Sequence, residues 1–558
     1  MRRALLPCLA SLACGPGVLV IDVPEPVFDY DLEHVIQVDI TLDDDDWQDL
    51  RHQQRNLLDL ITGEDCLEEP FDSPYAWFSA TVSIDGVVLD DVAVRKKGLI
   101  GSVTPARPSL KLKFDKYVDD QIWLGRERLT LNNGRQDPSR IKQCLGYSLY
   151  QDAGMAASRC SFAHVLVNGE DLGVYSNIEP VKKAMLARHF DSPDGNLYEG
   201  ALSDFREGWL GSFDDKTERG DGGDLRAIAE ALTVPENELE AALDKVIDVD
   251  QYLQSWAMEV LLAHNDGYAG NRNNYYVYAD PSDGRFHFMP WGIDNILEGE
   301  TPFGEGQPVA VVANAVIPYR ALRNATLKGR YIDALRGKLD QIWDEDELAQ
   351  RVDHMKQLTA PYAWRGGDDE GRYAASIAGM HMFIAGRREG IERELDRGWD
   401  EVPGHLGDGT PCLVERGHAD VRFDTTWGSN ERGAPWDIGA ANMAVTFDGN
   451  ELPVESLGST AGVGKEGRVL LVSGQLPDGT GLLIWMVALN DRVFAEAGEY
   501  DASWQDVQAY LLVDNDGGHD SYSVGAYLGG AMTLDETSLE PGARVAGGLD
   551  LVIWGGQQ

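Results

Sequence analysis

The sequence predicts an α+β chain with a strand-rich first part, a mainly helical second part and a β-rich third. Three observations predict it. Alternating apolar and polar runs, joined by tight-turn dipeptides, fill the chain up to about Pro180. Helical stretches and loops then dominate through about Arg397. From about Pro403, short alternating runs return, rich in Gly, Asp, Thr and Val. With 558 residues, 43% hydrophobic and 25% charged, the chain is a soluble globular protein long enough for two or three cores. The expected division is a leader at 1–14, a first lobe at 27–180, a helical lobe at 181–400 and a β-rich domain at 405–558.

The elements follow in order. HVIQVDI, ending at Ile40, alternates like a strand. TLDDDDWQDL then starts a helix, and its four aspartates read as a solvated cap. Trp77 to Lys97 form a hairpin about the turn Asp85-Gly86. A loop containing Gly98 and Gly101 follows, then the alternating strand SLKLKFDK. Asp137-Pro138 opens a helix that runs to about Ala153 and stops at Gly154. A second hairpin turns at Asn168-Gly169, and the chain leaves the sheet at Glu179-Pro180. Gly195 to Tyr198 suggest a small strand, and DDKTERGDGGD a flexible connector. Gln251 to His264 form an apolar helix, and YYVYAD and FHFMPW read as two strands. The last part reads as a β-sandwich-like module of some 150 residues. In it DNDGGHD (Asp514 to Asp520) lacks the spacing and terminal Glu of an EF-hand and reads as a turn.

The formal charge, 48 − 93 = −45, argues against nucleic acid or an anionic membrane surface as partner. Against that background Arg95, Lys96, Lys97, Arg107, Lys111, Lys113 and Lys116 stand together with one acid, Asp115. Such an island suits a phosphate. The N-terminus MRRALLPCLASLACGPG resembles a bacterial lipoprotein leader, with Cys14 as the residue to be lipidated, although Ser11 stands where an aliphatic residue is usual. It predicts an exported protein of the cell envelope or exterior, anchored by lipid at Cys14. No later segment is apolar for the ~18 residues of a membrane span. None of the six cysteines has the C-x₂-C spacing of a zinc site. With Cys8 removed and Cys14 lipidated, four remain and permit two disulfides. Cys144 and Cys160 are the first pair to test, with unpaired buried thiols as the alternative.

The stretch HNDGYAGNRNNYY begins at His264, and FMPWGIDN ends at Asn295. His264, Asp266 and Asn271 fit the H-x-D-x-x-x-x-N spacing of a phosphotransferase catalytic loop, and Asp294 follows an apolar strand-like run. Phosphoryl transfer from a nucleotide needs such a set: one Asp for the substrate hydroxyl, then an Asn and a second Asp for the metal ions that bridge the phosphates. The ordinary reading of an Asn/Asp/Gly-rich stretch is a solvated loop. Helix, polar loop, hairpin and exit Asp, in that order, favour the catalytic reading. One lysine on a strand should pair the phosphates. Lys111 and Lys113 share a face of SLKLKFDK; Lys113, nearer Phe114, is the first choice and Lys111 the reserve.

The ordered blocks VRKKG, PSLKLKFDK, LNN, DPSRIK, LVNGEDLGVYSNIEP, DGNLYEG, NNYYVY and GRFHFMPWGID resemble the CotH family of spore-coat-protein-H-like atypical protein kinases. The resemblance spans roughly residues 30 to 395. It implies a two-lobed protein-kinase-like domain followed by the sandwich-like β-rich domain. It also implies ATP with Mg²⁺ or Mn²⁺ as cofactors, and transfer of the γ-phosphoryl group to Ser/Thr hydroxyls of a protein. Carried over by position, Asp266 is the catalytic Asp, Asp294 the metal-binding Asp and Lys113 the ATP lysine. The family pattern N-Y-Y points to Asn274 for the metal, and the kinase spacing to Asn271. Glu179 and the residues before it would form the hinge beside the adenine. Arg95, Lys97 and Gly98 would border the phosphates. The helix Pro138 to Ala153 offers no Glu as partner for the ATP lysine, and Asn295 replaces the usual Gly. The rival reading is a weak or inactive surface structural or adhesion protein that binds through its kinase-like scaffold and β-domain. A third is a carbohydrate binder stacking sugars on Trp427, Trp436, Trp485 and Trp554.

Overall fold

The computed structural model describes residues 28–556 except 57, 100–103, 218–221, 299–307, 364–369, 400, 407–408, 432–433, 435–437, 465–466 and 515–521. The leader with Cys8 and Cys14, Trp436, Gly101 and most of DNDGGHD lie outside the described residues.

Seven strands build the first part: β1 (Val35–Thr41), β2 (Phe78–Ile84), β3 (Val87–Lys97), β4 (Ser109–Lys113), β5 (Arg128–Asn132), β6 (Cys160–Val167) and β7 (Glu170–Ile178). They close into a barrel in the order β1-β2-β3-β4-β5-β7-β6. Closure pairs β1 with β6 in parallel and leaves no open edge. Period-two alternation turns Val38, Val82, Leu112, Leu131 and Val165 inward to one core. Both hairpin turns place their two central residues at positive φ, Asp85-Gly86 at 48° and 83° and Asn168-Gly169 at 49° and 80°. That conformation matches the right-handed twist of the flanking strands.

The acidic run caps as expected. The helix is Asp44–His52, and the Asp43 carboxylate accepts from the Asp45 N–H. The next helix is shorter than the sequence suggested. It spans Lys142–Asp152, because Arg140 takes φ +63° and the Asp137 carboxylate instead accepts from the Ser139 and Lys142 N–H groups. A disulfide joins Cys144 on this helix to Cys160 on β6, and a second joins Cys66 to Cys412.

The middle part combines helices with a four-stranded sheet. β8 (Leu197–Gly200), β9 (Asp214–Asp215), β10 (Tyr275–Asp280) and β11 (Arg285–Pro290) lie in the order β11-β10-β8-β9. The helices Val249–Leu261, Ala325–Ile342 and Glu370–Arg397 bury Trp256, Tyr331 and Ile384 in a core that also takes in Tyr147 and Phe288. The last part is a ten-stranded sheet between Leu413 and Gly556 that curls over its own apolar face, including Val421, Leu470, Ile484 and Leu551. The chain is thus mixed α+β with a large β-rich C-terminal region. Among the described residues no helix is long and apolar enough to cross a membrane.

The tryptophans proposed to stack on sugars are placed differently from one another. Trp427 is buried in the C-terminal core. Trp485 and Trp554 stand with Tyr510 and Tyr527 in one cross-strand row, because Trp485 faces Tyr510, and Tyr527 faces Trp554. Tyr510, Tyr527 and Trp554 pack against Leu58, Leu60 and Ile61 of the N-terminal part. That contact occupies most of the row.

Candidate functional site

The loop from His264 to Asn274 is fixed by a carboxylate that its own sequence does not contain. Glu259, in the last turns of the helix Val249–Leu261, accepts from the N–H groups of Tyr268 (3.1 Å) and Ala269 (2.9 Å). Burial pushes its carboxyl up to about 7, against the pull of those two N–H groups. Burial also pushes His264 down to about 3, so its ring is neutral. Ala263, Arg272 and Asn274 all have positive φ, between 52° and 55°. Three non-glycine residues in the left-handed region within one loop are costly unless their surroundings hold them.

That loop presents Asp266 to a fan of amides. The Nδ2 groups of Asn271 and Asn274 donate to its carboxylate at 2.7 and 2.8 Å, and that of Asn273 at 3.3 Å. Asp266 is nine-tenths buried; burial raises its pKa while the amides oppose the shift. The exit of β11 then folds onto Asn274. The Trp291 N–H donates to the Asn274 carbonyl at 3.0 Å, and Gly292 turns at φ +53°. A Cβ at Gly292 would lie 2.2 Å from Asn274 Oδ1. Gly292→Ala is therefore expected to displace Asn274 or the Asp294 turn and cost about 2 kcal/mol. Its melting temperature should fall; a wild-type melt would contradict this packing.

Two residues on comes Asp294, 6% exposed. Burial pushes its carboxyl up to about 6; Asp137 and Asp266 add to the rise and Lys97 opposes it. Three carboxylates in one field, with the amide oxygen of Asn274 beside Gly292, make a hard-oxygen environment of the kind that suits Mg²⁺ or Mn²⁺. Among the described residues two tighter carboxylate–histidine groups lie elsewhere, at Asp248, Asp283 and His287 and at His418, Asp420 and Asp550. Arg285 is paired with both carboxylates of the first, and the aspartates of the second are exposed on the C-terminal sheet.

The opposite charge comes from the buried Lys142, which feels Asp137 and Asp294, and from the barrel. Lys97 ends β3, and its ammonium feels both Asp294 and Glu199; burial lowers its pKa. Lys111 on β4 sits opposite Arg95. Burial pulls Lys111 down to about 7, against Glu199 and with the ammoniums and guanidinium of Lys97, Arg95 and Lys216. Glu199, on β8, is 2.6 Å from Lys216 Nζ. Burial alone would raise its carboxyl, but Lys216, Lys111 and the Tyr276 hydroxyl outweigh that and hold it below the usual range.

The expected residues thus divide. Asp266, Asn271, Asn274, Asp294, Lys97 and Lys111 come together, and Arg95 faces Lys111 with its guanidinium 4.6 Å over the Trp77 ring. Of the two strand lysines it is Lys111 that joins the cluster. Lys113, the first choice, lies opposite Ala93 with its Nζ 3.8 Å from Asp115. Gly98 has φ +129°, and its carbonyl accepts from the Tyr75 hydroxyl at 2.9 Å. The Glu179 side chain is committed elsewhere: it is 2% exposed and bound by Arg159 and Arg188, with Arg126 at 3.8 Å. Glu199, Lys216, Glu259 and Asp137 were not anticipated. Glu259 had a signal, the one carboxylate in the run Gln251 to His264; Glu199 stands in the DGNLYEG block with nothing to separate it from other strand acids.

The chain is 27% identical over 262 residues to the inner spore coat protein H of Bacillus subtilis, covering 44% of this chain and 71% of that one. It is 22% identical over 264 residues to the invasin CotH3 of Rhizopus delemar, covering 42% of this chain and 44% of that protein. The family described as CotH kinase protein matches residues 94–391, more than half of the sequence, and takes in Lys97, Lys111, Glu199, Asp266, Asn274 and Asp294. The chain belongs to the CotH kinase protein family.

Proposed function

We propose that the protein is a metal-dependent protein kinase that transfers the γ-phosphoryl group of ATP to Ser/Thr hydroxyls of a protein, in a two-lobed kinase-like arrangement. The observation that carries this reading is Lys97. Its ammonium lies in the fields of both Asp294 and Glu199, between an acidic half fit for a metal ion and a lysine-rich half fit for phosphates. Bound Mg²⁺ or Mn²⁺ would be held by Asp294 and an amide of Asn274 or Asn271, and would neutralise charge on the phosphates. Asp266, fixed by its amides, orients the substrate hydroxyl and accepts its proton. Lys97 and Lys111 hold the phosphates, and Glu199 positions Lys111 and Lys216. Incubation with labelled ATP and Mg²⁺ or Mn²⁺, with and without added protein substrates, tests this; absence of any label transfer overturns it.

The pKa of Lys111 makes a separate prediction. Free Lys111 titrates near 7, so above that pH it is largely neutral, and a bound phosphate favours its ammonium form. Nucleotide binding should then take up a proton between pH 7 and the ordinary lysine range, and affinity should fall as pH rises. Calorimetry in two buffers of different ionisation enthalpy reads the proton directly; no uptake at pH 8 removes Lys111 from the phosphate site.

The site of action we place outside the cytoplasm. Two disulfides suit an oxidising compartment, and the relatives are a spore coat protein and an invasin. Those same names favour one second reading, a surface structural or adhesion protein on an inactive scaffold. A melting temperature indifferent to nucleotide, with or without metal, selects it.

A further inference from the structure

The residues on either side of Lys97 are tied to a single segment of chain, and that segment is fastened to the C-terminal β-region. Lys96 is fully buried, and its Nζ donates to the carbonyls of Arg51 (2.7 Å) and Gln53 (2.6 Å). On the other side, the Gly98 carbonyl takes the Tyr75 hydroxyl. Gln53 also accepts from the Ala76 N–H through its side chain at 2.9 Å. Segment 51–76 therefore grips the chain on both flanks of Lys97, at the end of β3 and at Gly98 just beyond it.

The same segment is held at its middle by the C-terminal region in three ways. Leu58, Leu60 and Ile61 pack with Leu413 and Trp504 and under Tyr510, Tyr527 and Trp554. Thr62 bridges Leu413, and the Gly63 N–H donates to the Leu413 carbonyl at 2.9 Å. Cys66 is covalently bonded to Cys412. A Cβ at Gly529 would come within 2.8 Å of Leu58 Cδ1, so the sheet approaches the strap closely there. Leu99, two residues after Lys97, and Leu202, three after Glu199, are partly buried in this same apolar cluster. Leu202 also packs with Leu67, Trp209 and Cys412.

We infer that segment 51–76 is a strap through which the C-terminal β-region positions Lys97, with the Cys66–Cys412 bond as its fastening and Leu99 as its contact beside the site. The inference rests on the proposal that Lys97 serves the phosphates. The apolar contact alone leaves the strap able to slide and open locally; the covalent bond fixes it across 346 residues of chain. Lys97 must hold a place between Asp294 and Glu199, and a small shift of its strand end would weaken its grip on phosphate. The β-region is then part of the nucleotide site's support rather than an independent appendage.

The test uses the full chain. The double variant Cys66→Ser/Cys412→Ser and, separately, Leu99→Ala with the disulfide intact are compared with wild type, and Leu99→Met serves as the conservative rescue. Affinity for ADP with Mn²⁺ and amide hydrogen exchange across residues 93–99 are measured on each. The expected result is affinity about fivefold or more weaker in the serine and alanine variants, faster exchange at 93–99, and recovery of both in Leu99→Met. Wild-type affinity together with unchanged exchange at 93–99 overturns the strap, as does faster exchange confined to 58–75. If wild type itself binds no nucleotide, the kinase reading fails on its own. The exchange data then still decide, because faster exchange at 93–99 supports the strap and unchanged exchange rejects it.

Discussion

Asp294→Ala is expected to lower phosphoryl transfer by at least about 10²- to 10³-fold, the several kcal/mol that a metal ion contributes at a transferring phosphate. The same substitution should leave the apo protein at least as stable as wild type. The sign follows from the raised pKa. A carboxyl that titrates near 6 in the fold, rather than in the ordinary range near 4, favours folding only while it is protonated. Its stabilising effect is present at acid pH and is lost as pH rises through 4 to 6. At pH 7.5 the ionised group is therefore a cost of about 2–3 kcal/mol, relieved by alanine in part, because Lys97 loses a partner. Wild type should gain stability with Mn²⁺ and nucleotide while the variant does not. Transfer that persists at the wild-type rate, or an apo variant that melts well below wild type, would falsify the assignment. In wild type the apparent metal affinity should also decline below about pH 6, where protons compete for the carboxylate.

Much of this was legible because turns and periodicity are local. Asp85-Gly86 and Asn168-Gly169 each announced a hairpin, since only a few residue types take two consecutive positive φ values. The closeness of Asp266 and Asp294 was legible from order along the chain: helix, polar loop, hairpin, exit Asp. What was not legible depends on which strand faces which. Lys111 and Lys113 are equivalent by alternation, and only the register of β4 against β3, with β8 close by, brings Lys111 to Glu199. Glu179 looked free for a ligand, yet the arginines that bind it come from residues 159 and 188, with Arg126 nearby, which no local pattern connects. The helix start was misplaced for a local reason. Asp137 caps by accepting from Lys142 rather than by opening the helix at Pro138, and a left-handed Arg140 is not signalled by its residue type. Cys144 and Cys160 were close enough in sequence to suspect; Cys66 and Cys412 were not.

Glu199→Gln is expected to separate the stability of the site from its chemistry. Lys97, Lys111 and Lys216 all interact with this carboxylate, and Lys216 is 2.6 Å away. Removing its charge leaves the three lysines without the counter-charge they share in a site that is largely out of water. Breaking a fully buried pair costs about 3–5 kcal/mol. Glu199 is about a quarter exposed, so about 2 kcal/mol is the better figure once solvent screening is allowed for. The pH dependence has a definite sign. The Glu199 carboxyl is held below its usual range, so its contribution is present above the ordinary glutamate pKa and is lost as pH falls through the lower folded value. The gap in melting temperature between wild type and variant should therefore be full at pH 7 and close in acid. Phosphate oxygens would replace the missing negative charge. Nucleotide should consequently raise the variant's melting temperature more than wild type's, while kcat falls about tenfold or more because Lys111 and Lys216 lose the group that orients them. A variant with both the wild-type melting curve and the wild-type kcat would show that the lysines do not depend on Glu199. A raised KM with kcat unchanged would make Glu199 part of ground-state binding only, and would move the positioning role to the Lys97 strand end.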